Sequence, residues 1–102
     1  MNAAAASSRR LLLEQAAEAA AEAWAGLCMH TLRAEGRAVA GGWPGTMSEA
    51  RGWARAKLAV NGMTPTHDEL EWLVRTTYAL ARDTWRAGAG KDDQDQVDLE
   101  AG

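Results

Sequence analysis

TPTHDELEWLVRTTYALARDTWRAG, residues 64–88, reads as a single amphipathic helix and decides the fold class. Leu70, Leu73, Val74, Thr77, Ala81, Thr84 and Trp85 recur at helical steps and share one face, with Tyr78 and Leu80 at its edges. Two starts are open. Pro65 suits a first helical position, and Thr66-His67-Asp68-Glu69 fits a capping box. Glu71 precedes Arg75 by four residues, the favourable order for a helical ion pair. Gly88-Ala89-Gly90 predicts a stop near Ala87.

Upstream, Thr46-Met47-Ser48-Glu49 is another capping box. It opens a second helix running to about Asn61, with Gly62 placed as its left-handed cap. Arg37–Gly45 is a connector, and Pro44-Gly45 suits a type II turn. Before it, Leu13, Ala17, Ala20, Trp24, Leu27 and Thr31 alternate at steps of four and three and predict one face of a long helix. Ser7 or Ser8 can cap that helix, and Gly36 can stop it. Glu14, Glu18 and Glu22 fall on the opposite face and read as a solvated acidic stripe. No strand pattern competes. The expected fold is all-α: a three-helix domain over residues 9–88 with one long N-terminal helix and two shorter ones. A flexible N-terminus (1–8) and a disordered acidic tail (89–102) flank it.

The chain has 102 residues, a net charge of −3, five tryptophans and no phenylalanine. Much of its 47% apolar content is alanine, so its large buriable groups are few. Such a core often needs help from oligomerisation. From Asp92 onward there are five acidic and no basic residues, leaving a weakly basic folded part. The tail segment Gln96-Val97-Asp98-Leu99 resembles the short Gln-x-(Ser/Asp)-Leu peptides that dock on bacterial sliding clamps, with Glu100 where those end in a large apolar residue. Its plain reading is a solubilising tail. The opening MNAAAASSRRLLL resembles a transit peptide in composition but reads first as an alanine-rich lead into the helix. No stretch approaches a transmembrane span, and the single Cys28 suits a reducing compartment, so the expected location is cytoplasmic.

Chemistry is sparse. Cys28 and His30 stand two apart on a helix and point in different directions, with His67 far away in sequence. They do not make a zinc site or a nucleophile–base pair. No phosphate-binding loop, nucleophile elbow, zinc-protease helix or paired-carboxylate signature is present. The glycine-rich GGWPGT lacks the lysine and the preceding strand of a phosphate cradle. The chain is therefore expected to be non-catalytic, with no cofactor and no metal.

The tryptophans point elsewhere. Trp72 lies roughly 150° from the centre of its helix's apolar face, where burial would carry charged neighbours inward. Trp53 sits to one side of a short basic helix, and Trp43 in the connector. Aromatic rings at a surface are what interfaces collect. Trp72, Trp53 and Trp43, with Arg75 and Arg86, are the candidate protein interface. The stripe Leu13, Ala17, Ala20, Trp24, Leu27 and Thr31 is the candidate homodimer contact, because a helix of about 25 residues, roughly 37 Å, outruns a second helix of roughly 22 Å. The expected function is a small interaction module that self-associates or docks on a protein partner. The alternative is a DNA-associated regulator with the second and third helices as a helix-turn-helix-like unit and Arg51, Arg55 and Lys57 on the nucleic acid. Acidic residues at the start of the third helix and the net negative charge weigh against it.

Overall fold

The computed structural model describes the backbone of residues 3–101 and the side chains of residues 8–90. The chain is all-α: α1 spans Ala3–Ala34, α2 Met47–Val60 and α3 His67–Ala101, and the described residues hold no strand. From residue 91 on, the expected tail and its Gln96–Glu100 segment lie outside the residues whose side chains are described.

Local chemistry sets most of the boundaries. At α2, the Glu49 N–H donates to Thr46 Oγ1 at 3.1 Å and the Thr46 N–H donates to Glu49 Oε1 at 3.0 Å. At α3, the Thr66 N–H donates to Glu69 Oε1 at 2.8 Å and the Glu69 N–H donates to Thr66 Oγ1 at 3.2 Å. The Thr66 start is therefore the one used. Both glycine stops close as Schellman motifs. Gly36 has φ 75°, and the Arg37 N–H donates to Leu32 O at 2.8 Å; Gly62 has φ 67°, and the Met63 N–H donates to Leu58 O at 2.9 Å.

Three expectations are corrected. Neither Ser7 nor Ser8 caps α1, which already begins at Ala3. Gly88-Ala89-Gly90 is helical and does not end α3, so α3 counts 35 residues against 32 for α1. The reason is packing: a Cβ at Gly88 would collide with Met29 Sδ, so this glycine serves helix–helix approach. The Pro44-Gly45 pair makes no type II turn, since Gly45 lacks the positive φ that turn demands. Gly41 is the connector residue with positive φ, at 80°.

The contacts fix the topology. Arg9 pairs with Glu69, Trp24 lies against Tyr78, and Met29 meets Gly88, so α1 and α3 run parallel. The Arg9 guanidinium also donates to Thr64 O, and Trp24 crowds Gly45, so α2 runs antiparallel between those two levels. At 14 residues, α2 covers only the N-terminal half of the pair. Beyond it the connector stands in for a third helix. Val39 is fully buried, Trp43 packs edge-on against Trp24 and Trp85, and Trp85 Nε1 donates to Gly41 O at 3.1 Å. The core gathers Leu13, Trp24, Leu58, Leu73, Val74 and buried alanines from all three helices. The α3 face read from sequence is the buried one: Leu73, Val74, Thr77, Ala81 and Trp85 are all interior.

Candidate interaction surfaces

The α1 stripe divides. Leu13, Ala17, Ala20 and Trp24 are buried under α2 and α3, so they are core and not a dimer contact. Leu27 is 53% exposed and Thr31 is exposed too, its hydroxyl donating to Leu27 O at 2.9 Å. The cause is cover and not direction. Leu13 and Thr31 are eighteen residues, or five whole turns, apart and point the same way, but α2 begins at the level of Trp24, so beyond it α2 no longer covers this face. By the last turns the buried face has moved to Ala25, Cys28, Met29 and Leu32, buried or half-buried.

The tryptophans fall into two groups. Trp24, Trp43 and Trp85 form an aromatic cluster, with Trp24–Trp43 centroids 4.8 Å apart at 74° and Trp43–Trp85 5.6 Å apart at 62°. Trp43 thus joins the connector to the core. Trp53 and Trp72 are half-buried, each with part of its ring against the core. Arg75 and Arg86 are exposed on the outer side of α3, Arg75 one turn from Trp72 and Arg86 roughly 21 Å from it along the helix. That outer face also carries Asp68 and Asp83, both exposed.

The basic helix is partly committed. Arg51 Nη2 lies 2.7 Å from Glu71 Oε1, a bridge from α2 to α3 that lowers the Glu71 pKa chiefly through this hydrogen bond. Arg55 is exposed and Lys57 half-buried. Of the three candidate nucleic-acid contacts, one is thus occupied within the fold.

A second bridge escaped the sequence. Arg9 Nε lies 2.6 Å from Glu69 Oε2, and Nη2 lies 2.7 Å from Oε1, a fork that fastens α1 to the start of α3. Its only sequence signal is an arginine with no acid four residues away. The Glu69 carboxylate is held down to about 2 by the Arg9 hydrogen bond first and the Thr66 backbone N–H next. A depressed carboxylate contributes stability above its unfolded pKa, near 4.5, and loses it as pH falls toward 2. Glu71 shifts in the same direction. Melting temperature is therefore expected to decline as the pH drops from about 5 to about 2. Glu69→Gln, which keeps the capping box, should lower the melting temperature at neutral pH and flatten that decline. An equally steep decline in the variant would show that the fork does not set it.

Cys28 is half-buried, and its thiol is pushed up by burial and then by the Glu49 charge, the opposite of an activated nucleophile. His67 sits at the start of α3, by the level of Arg9, about 19 residues of α1 or roughly 28 Å from Cys28. Among the described residues no three His, Cys, Asp or Glu side chains gather as metal ligands. A shallow groove between α1 and α3 is lined by Glu18, Ala21, Glu22, Leu80 and Thr84. No described helix is long and apolar enough to cross a membrane. The chain matches no protein-family model, no curated protein and no solved structure.

Proposed function

We propose that this chain is a non-catalytic helical interaction module that docks a protein partner through the outer face of α3. The observation that carries the reading is Trp72. Its ring is held on one side by the core, keeps the other side in water, and stands one turn from exposed Arg75, with exposed Arg86 on the same side roughly 21 Å further along α3. A rigid aromatic with an arginine next to it is the composition of an interface hot spot. Its helix buries Leu73, Val74, Thr77, Ala81 and Trp85 on the other side, so the ring of Trp72 supplements a core that α3 already supplies.

Trp72→Ala tests it. The variant should lose only about 1–2 kcal/mol of folding stability, roughly half the cost of truncating a fully buried tryptophan. A partner recovered with the tagged chain from its own host should be lost, with binding weakened by about 2 kcal/mol or more. An unfolded variant would show that Trp72 serves packing. A folded variant that still recovers every partner would overturn the assignment of this face.

A further inference from the structure

A second apolar surface runs along the seam between α1 and α2. On α1, Leu12 and Leu27 are 48% and 53% exposed, Ala23 is exposed and Ala19 half-buried. These four fall within an arc of roughly 80°. No charged residue of α1 lies in that arc between Leu12 and Leu27. On α2, Glu49, Trp53 and Lys57 follow at steps of four, with Val60, 78% exposed, between their directions. This is the edge of α2 that faces α1, for the Glu49 charge acts on Cys28, whereas Arg51 on the other edge reaches Glu71 of α3. The register follows from two antiparallel contacts, Arg9 with Thr64 and Trp24 with Gly45. It sets Trp53 at the level of Ala19 and Val60 at the level of Leu12, with Leu27 just beyond the start of α2.

We infer that a second copy of this chain covers the seam, related by a twofold axis at Trp53. A twofold contact sets a face against itself, so the face must complement itself. The α1–α3 groove would set Glu18 and Glu22 against their own copies, like against like. On the seam, Glu49 and Lys57 stand four residues to either side of Trp53. Antiparallel pairing about Trp53 therefore puts Glu49 of each copy against Lys57 of the other. The same axis works for α1: Leu12 and Leu27 lie at nearly equal distances from Ala19, so Leu12 of one copy meets Leu27 of the other. Ala19 and Ala23 between them let the helices approach closely. Two helix widths by the length of α2 give a footprint on the order of 400 Å², and a ridged surface exposes more than its footprint. That reaches toward the roughly 800 Å² per partner of a standard interface from below, which fits a micromolar dimer. The inference shares the premise of an interaction module but uses a different face from Trp72, so each can fail alone.

Sedimentation of the full chain tests it. At concentrations on the order of 10–100 µM the mass should be twice 10.9 kDa. Ala23→Arg puts a good helix former at an exposed site, so it should give a monomer with unchanged helicity and melting. Lys57→Glu sets acid against the Glu49 of the other copy and should weaken the dimer about tenfold. Adding Glu49→Gln, which preserves the capping box, should recover part of that loss. A wild-type chain that stays monomeric overturns the inference. So does a dimer indifferent to both Ala23→Arg and Lys57→Glu. A dimer abolished by Trp72→Ala but not by Ala23→Arg would place the second copy on α3; that overturns the seam and leaves the module reading intact.

Discussion

Trp24→Ala should destabilise the chain by about 3–5 kcal/mol, the range for truncating a buried aromatic. A domain of this size has about 5–15 kcal/mol of folding free energy in all, so the variant should be partly unfolded at room temperature. The size of the effect comes from where the ring lies. Trp24 is buried at 2% exposure, meets Trp43 edge-on at 4.8 Å and approaches Tyr78 at 6.4 Å. It therefore joins α1 to the connector and to α3 at the level where α2 begins. The surrounding alanines are too small to collapse into the space, so cavity cost adds to transfer cost. Urea unfolding should show a lower midpoint with the slope unchanged. A loss under about 1 kcal/mol would mean that the aromatic cluster is not what holds the connector down.

Gly45→Val is the second large effect, and it arises in a connector, where substitutions are usually harmless. A Cβ at Gly45 would run into the Trp43 and Trp24 rings. Neither indole can yield cheaply, because Trp43 is itself wedged between Trp24 and Trp85. Overpacking of this kind costs about 1–3 kcal/mol, and the branched side chain should fall at the upper end. Gly52→Ala is the contrast. Gly52 is exposed inside α2, and a Cβ there meets nothing within 4 Å. That variant should gain about 0.5–1 kcal/mol from helix propensity. Thermal melts of the two variants beside the wild type should move in opposite directions. If Gly45→Val melts with the wild type, the connector is not packed as described.

The sequence by itself determined what local chemistry controls. Thr46 and Thr66 with Glu49 and Glu69 start two helices, because an N-cap hydroxyl and a carboxylate three residues on satisfy each other's backbone amides within a few residues of chain. Gly36 and Gly62 stop two helices, because a left-handed residue is cheap only for glycine. The α3 core face was legible from Leu70 to Trp85 because a continuous helix with large apolar groups leaves little choice of which side to bury. Trp72, read as lying opposite that face, is half-buried and packs against the core, a contact that its place on the helical wheel does not show.

Tertiary structure decided the rest, wherever a residue's role depends on a distant one. Leu27 and Thr31 are exposed because α2 begins at the level of Trp24 and no longer covers their face beyond it. Gly88 is a contact and not a stop because Met29 lies across from it, 59 positions earlier in the chain. Gly45 is glycine for the sake of two rings and not for a turn. The Arg9–Glu69 fork depends on α1 and α3 running parallel. Spacing along the chain carries no trace of that, since side chains 60 residues apart meet only after the connector and α2 have brought the chain back.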